Sequence, residues 1–367
     1  MKMFNTRQQQ IIGFLLVAIA LAALPWVAGM LGNSWVRILN IALLYVMLAL
    51  GLNIVVGFAG LLDLGYVAFY AVGAYVYGLL ASPHLTDNFE AIAALFPNGL
   101  HLSIWVLIPL SAMVAAFFGV LLGGPTLRLR GDYLAIVTLG FGEIIRLFLN
   151  NLNAPLNITN GPQGINMIEP VSIAGLRFSQ TVDLFGLDVP ALHLYYYLFL
   201  ALTLIIIGVC MRLQQSRIGR AWTAIRDDET AAKAMGINTR NMKLLAFALG
   251  ASFGGVAGAM FSAFQGFVSP ESFGLMESII VLCMVVLGGM GHIPGVILGA
   301  LLLAGFPEML RQVVTPVQEF LFGAVLVDAE IIRSLIYGLT MVLAMLYRPQ
   351  GLWPQGKSKA ARKQVPT

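Results

Sequence analysis

The chain has 367 residues, of which 59% are apolar and only 10% charged, with a formal net charge of +4. Soluble domains carry about 25% charged residues, so this composition excludes an ordinary water-facing surface. Backbone groups in lipid must be satisfied internally, and the pattern is that of an all-α, polytopic membrane bundle. Two cysteines, Cys210 and Cys283, lie inside apolar runs with no metal-binding or disulfide spacing.

Ten apolar runs reach or approach the roughly 20 residues that cross a hydrocarbon core of about 30 Å. They occupy 11–31, 37–56, 61–81, 103–123, 132–151, 193–213, 244–264, 276–290, 294–310 and 331–347. Residues 1–10 read as a cytoplasmic N-terminus, 11–347 as one transmembrane domain and 348–367 as a basic cytoplasmic tail. The first run is too long for the apolar core of a cleaved signal and reads as a retained helix. The third, eighth and ninth runs are short or interrupted by glycine.

Asp63 opens the third run, just after Gly57 and Gly60. Those glycines signal a helix break, so Asp63 either caps the third helix at the inner boundary or faces a translocation cavity. In the fifth run, a cap at Asp132 would place Glu143 about 16 Å along the helix, near mid-membrane. Arg146, three residues on, shares its face. An ionisable residue at that depth marks a functional site by default, with a structural ion pair as the competing role. The segment at 157–165, "NITNGPQGI", is dense in turn formers and reads as an ordered outer loop.

Between the sixth and seventh runs stands the densest block of charge, "AIRDDETAAKAMG". Residues 221–235 are rich in helix formers and Gly236 supplies a stop, which predicts one short amphipathic helix. Trp222, Ile225, Ala232 and Met235 fall near one face, while Arg226, Asp227, Thr230 and Lys233 point elsewhere. Helix links need only about 2–8 residues. Mixed-sign charge on an amphipathic helix suits a protein partner's groove, whereas a membrane-surface helix is more uniformly basic.

Further on, Gly250, Gly254 and Gly258 recur at four-residue spacing, as do Gly291, Gly295 and Gly299. Small-residue stripes let membrane helices approach closely. Gly288, Gly289 and Gly291 beside Pro294 instead predict a broken helix or a re-entrant turn. The tail at 351–358, "GLWPQGKS", fits the letters of a phosphate-binding loop but lacks the strand and parallel sheet behind one. It reads as a membrane-surface anchor with Trp353 at the interface, and no cofactor, metal site or catalytic residue is expected. Lys and Arg crowd the segments 1–10, 124–131, 214–243 and the tail, so both termini are expected in the cytoplasm. Membrane lipid, and not nucleic acid, is the expected surroundings.

"ETAAKAMG" resembles the Glu-Ala-Ala…Gly loop that permeases of ATP-binding-cassette importers insert into their ATPase subunits. "GLNIVVGFAGLLDLGYVAFYAVGAY", "LRLRGDYLAIVTLGFGEIIRLFLNN", "GFVSPESF", "VVLGGMG" and "YRPQGL", in that order, are similar to the branched-chain amino acid permease family, in its larger, M-type subunit. The resemblance covers nearly the whole chain. It implies a multi-pass bacterial cytoplasmic (inner) membrane protein that is itself no enzyme. Its partners would be a second, homologous permease, two cytoplasmic ATP-binding subunits and a periplasmic or extracellular substrate-binding protein.

The implied coupling residues are Trp222, Ile225, Arg226, Asp227, Asp228, Glu229, Ala231, Ala232 and Gly236, and Asp63, Glu143 and Arg146 would lie in or near the path. Thr230 departs from the loop pattern, standing where the first Ala is usual. Related urea and short-amide permeases more often carry Ser and His where Asp63 and Tyr66 stand, so "LLDLGY" favours leucine, isoleucine and valine. The alternative from another class is an ion-coupled secondary transporter, which needs midplane carboxylates; the chain offers Glu143, with Asp63 nearer an edge.

Overall fold

The computed structural model describes residues 6–96, 100, 102–126, 129, 131–173, 176–184 and 187–306, with single positions between 331 and 352. The tenth predicted span lies largely outside these residues. So do the end of the ninth span and the tail, except Leu352.

Helix α1 (Thr6–Leu31) is followed by α2 (Asn33–Asn53), which runs directly into a π-helical segment, Ile54–Phe58. Next come α3 (Val67–Leu80) and two short outer helices, α4 (His84–Asn88) and α5 (Glu90–Leu95). Helices α6 (Ile104–Thr126) and α7 (Asp132–Asn151) complete the first half. The loop after α7 carries two small antiparallel hairpins, β1 (Ser172–Ile173) with β2 (Leu176–Arg177) and β3 (Val182–Leu184) with β4 (Leu187–Val189). Helix α8 (Ala191–Gln215) leads to α9 (Arg217–Asp227), α10 (Glu229–Ala234) and α11 (Thr239–Gln265). Two shorter helices, α12 (Leu275–Gly288) and α13 (Ile293–Phe306), follow.

Among the described residues, the continuous helix Asn33–Phe58 and helices α6, α8 and α11 are long and apolar enough to cross a membrane. Residues Leu16–Leu31 of α1, together with α3, α12 and α13, are shorter apolar helices. Helix α7 exposes Tyr133, Ile136, Ile144, Leu147 and Phe148 on its outer side, a face suited to lipid or to another membrane subunit.

Helix α11 is the hub, packed against α6, α3 and α2. Its glycines explain how the helices approach so closely. A Cβ at Gly258 would collide with the Tyr70 carbonyl of α3, and one at Gly255 would run into Ser111 of α6. At Gly250 it would meet Val55 and the Gly51 carbonyl. The stripe at 250, 254 and 258 is therefore a packing seam, as read from its spacing. Gly295 and Gly299 likewise seat α13 on Gly288 and Met284 of α12. The predicted break between those two helices is a tight turn, with Gly289 at φ 109° and Gly291 at φ 82°. The outer loop at 157–165 is ordered: Asn160 donates to the Gly164 carbonyl at 2.9 Å, and Ile165 pairs with Val268 before α12.

Three expectations are corrected. Residues 57–60 are not a simple inner loop. Helix α2 continues through the π-helical turn to Phe58, and the third helix starts at Val67 instead of 61. The intervening residues have irregular backbone, yet Ala59, Leu61 and Asp63 are buried. Lipid cannot satisfy such backbone, so protein must enclose it, and hydropathy alone does not register that enclosure. The fifth helix is capped by Gly131 at φ 57°, without a side-chain cap, and Asp132 occupies its first turn. There its carboxylate favours the positive end of the helix dipole. The charged block forms two helices, α9 and α10, instead of one.

Candidate coupling segment and transport path

The coupling segment is built by local capping chemistry. Ser216 caps α9, its hydroxyl accepting from Gly219 N at 3.2 Å. Asp228 breaks the helix with an extended backbone, and its carboxylate accepts from Thr230 N at 2.7 Å and Ala231 N at 3.0 Å. Such a cap contributes about 1 kcal/mol, enough to end one helix and start the next. Helix α10 stops where Gly236 takes φ 83°. Gly236 N bonds the Lys233 carbonyl and Ile237 N the Ala232 carbonyl, the paired bonds of a Schellman stop.

This break decides which residues a partner can touch. Trp222 is fully buried and donates through Nε1 to the Met242 carbonyl at 2.7 Å. Ile225 and Ala232 are buried as well. The apolar face of the segment is thus spent on its own bundle, so these three side chains are not offered to a partner as the amphipathic pattern implied. Exposed instead are Asp227, Asp228, Thr230, Ala231, Lys233 and Gly236, with Met235 83% exposed. The turn at Asp228 rotates Met235 away from the face it was expected to share.

Glu229 also turns inward. Its carboxylate lies 2.9 Å from the Lys243 ammonium of α11 and 3.2 Å from Lys233. Thr239 adds a longer hydroxyl contact at 3.4 Å. Partial burial works to raise the Glu229 pKa, but hydrogen bonds and charge from Lys243 and Lys233 outweigh it and hold the group below its ordinary value. The pair borders a cavity of about 440 Å³ lined by Gly124, Pro125, Lys233, Thr239, Arg240 and Lys243.

Arg226 is an exposed residue, its side chain 35% open, whose guanidinium tip reaches the bundle. Its Nη1 donates to the Gly57 carbonyl, at the end of the π-helical segment, at 2.6 Å. Asp227 stands 3.9 Å from its Nε. Nearby, Asn53 Oδ1 accepts from Gly291 N at 2.8 Å, and Gln214 donates to the Gly291 carbonyl at 3.3 Å. Asn53, Gln214 and Gly291 were not among the sequence candidates. Asn53, one of two amides in the apolar run 37–56, was the one available signal.

Of the path candidates, Asp63 is 1% exposed and accepts from Gly65 N at 2.9 Å. It does not cap α3, whose N-cap is Tyr66. It holds the turn that seats Gly65 against the Thr138 carbonyl of α7, while Leu64 N donates to Thr138 Oγ1 at 3.0 Å. Glu143 and Arg146 do meet: Arg146 Nε and Nη2 both lie 2.9 Å from Glu143 Oε2. Both side chains are about one-third exposed. Glu143 borders a shallow cleft with Leu64, Val67, Phe273 and Ser278. Asp63 stands apart from the Glu143–Arg146 pair in this bonding, and each serves a different contact.

Residues 34–345 match the family described as branched-chain amino acid transport system / permease component. The chain is 42% identical over 361 residues to the high-affinity branched-chain amino acid transport system permease protein LivM of Escherichia coli K12, covering 95% of this chain and 76% of that protein. It is 26% identical over 331 residues to the probable branched-chain amino acid transport permease protein LivM of Methanocaldococcus jannaschii, covering 85% and 91%. It is also 26% identical over 272 residues to the permease LivH of Escherichia coli K12, covering 73% and 82%. No solved structure matches it. With a multi-pass helical bundle matched almost end to end, the chain belongs to the branched-chain amino acid permease family, as a membrane permease component of a transport system and not an enzyme.

Proposed function

We propose that this chain is the M-type permease subunit of an ATP-driven importer in the bacterial cytoplasmic membrane, carrying leucine, isoleucine and valine inward. In this reading both termini and the segment α9–α10 are cytoplasmic, and the fold has ten spans. A second, related permease completes the path, two ATPase subunits supply the work, and a binding protein delivers substrate outside. The observation that carries the reading is the coupling segment. Its apolar face is fastened to the bundle through Trp222, leaving a rigid polar face with Met235 protruding.

Transport is alternating access. A closing ATPase pair pushes on Asp227, Thr230, Ala231 and Met235. Because α9 is anchored to α11 through the Trp222–Met242 bond, and α10 through Glu229 and Lys243, the push moves the bundle instead of deforming a loose loop. Glu143 and Arg146 neutralise each other at membrane depth, where a lone charge is costly.

The test is uptake of labelled leucine and labelled urea by cells lacking other routes, with and without this chain. Leucine uptake that depends on the chain supports the assignment. Dependence of urea uptake alone moves it to the amide branch of the scaffold. Failure of the solubilised chain to bring down an ATPase subunit overturns the importer reading itself.

A further inference from the structure

Two helices are broken at one place. The long helix Asn33–Phe58 ends in its π-helical turn, and α12 ends at the glycine turn before α13. These ends touch: a Cβ on Gly57 would collide with Gly291 N, and Asn53 bridges them through its bond to the same amide. The last carbonyls of a helix have no intrahelical partner, and the dipole makes that end negative. The Gly57 carbonyl is such a group, and the donor it receives is the Arg226 guanidinium at 2.6 Å. An ideal Cβ on Gly291 would stand 3.0 Å from Arg226 Nη1, and one on Gly60 would press on the Arg226 stem. Two glycines, Gly60 and Gly291, therefore clear space around one arginine.

We propose that Arg226 is the positioning residue through which the coupling segment acts on both broken helices: its guanidinium, held by the Gly57 carbonyl between the turns at 57–60 and 289–291, transmits motion of α9 to them. The proposal rests on the importer reading and adds to it the point of transmission. Glu229, the acidic hallmark of the loop, serves a different purpose, fastening α10 to α11. The arrangement suits transmission for a physical reason. A charge-assisted hydrogen bond is short and strong, and here it is made to the end of a helix. Gln214 holds the Gly291 carbonyl from the adjoining end of α8, so α8, α9 and both broken helices move as one unit.

The experiment uses the complete transporter in proteoliposomes, with leucine uptake and ATP hydrolysis measured in the same vesicles for wild type, R226Q and R226K. In R226Q the subunits still co-purify, hydrolysis stays within about threefold of wild type, and uptake falls at least tenfold. R226K, which keeps the charge, recovers part of the lost ratio. Uptake within twofold of wild type in R226Q, or uptake and hydrolysis falling in parallel, overturns the proposal. A second readout needs no importer activity: hydrogen exchange on the purified chain. Amides at 56–61 and 289–293 exchange at least tenfold faster in R226Q, while those of α6 and α11 are unchanged. Unaltered exchange at both turns overturns the proposal, and if R226Q fails to fold, R226M, which also removes the charge, is read by the same criteria. A wild-type complex that hydrolyses ATP without moving leucine sinks the substrate assignment instead, and leaves the exchange result to decide the role of Arg226.

Discussion

Lys243 and Glu229 are joined across the start of α11 by an ion pair of 2.9 Å, with the lysine 5% exposed and the glutamate only partly so. The pair ties a six-residue helix that could not hold its shape alone to the longest helix in the described structure.

Removing one partner is therefore costlier than removing both. Glu229→Gln leaves the Lys243 ammonium enclosed without its counter-charge, and we expect a loss of about 2–4 kcal/mol, discounted from a fully buried pair because Glu229 retains some water contact. The double change Glu229→Gln with Lys243→Met should recover more than half of it. Chemical unfolding of the purified chain, read as a double-mutant cycle, checks this, and additive losses would refute the coupling.

The same pair sets a pH response. Glu229 is held below its ordinary pKa in the folded chain, so its contribution is present above the unfolded value and lost as pH falls through the folded one. The α10–α11 tie should hold from neutral pH down to the usual glutamate range and loosen only in stronger acid. Hydrogen exchange at 229–236 across that range measures it; loosening near pH 7 would contradict the assignment.

Trp222 and Met235 separate folding from docking. Trp222→Ala removes a fully buried ring and its bond to Met242, with an expected cost of about 3–5 kcal/mol. Met235→Glu alters a protruding side chain and should change stability by no more than about 0.5 kcal/mol, yet abolish co-purification of the ATPase subunit. Undiminished co-purification by the folded Met235→Glu chain would place docking elsewhere.

At the helix seam, Gly73→Ala forces a methyl into the Gly255 backbone and should cost roughly 1–3 kcal/mol or more. Gly208→Ala on α8, where a methyl meets nothing within 4 Å, should be neutral to mildly stabilising. Thermal unfolding of the two variants side by side tests whether close approach, and not glycine content, is what the seam requires.

Glu143 and Arg146 invite a charge swap. Either reversal alone removes the 2.9 Å ion pair and leaves two like charges three residues apart on α7, which should destabilise the helix. Reversing both restores the pair, and uptake should return to within about threefold of wild type if its role is structural. A folded double variant that stays inactive would show that Glu143 meets the substrate.

Several of these features were legible in the residues themselves. Long apolar runs announced α2, α6, α8 and α11, because crossing lipid sets a minimum length that no tertiary contact can waive. Four-residue glycine spacing announced the α11 seam, and the glycines at 288–291 announced the turn before α13. Periodicity also showed that Trp222, Ile225 and Ala232 share a face, but a face has no sign: the pattern is identical whether it packs on its own bundle or on a partner. Only the tertiary structure decided that, through the Trp222–Met242 bond and the break at Asp228. It likewise buried Ala59, Leu61 and Asp63 in an irregular stretch, moved Asp63 from helix cap to turn brace, and turned Arg226 toward Gly57. Those contacts join residues up to 238 positions apart, as at Asn53 and Gly291, and no local pattern encodes a pairing at that distance.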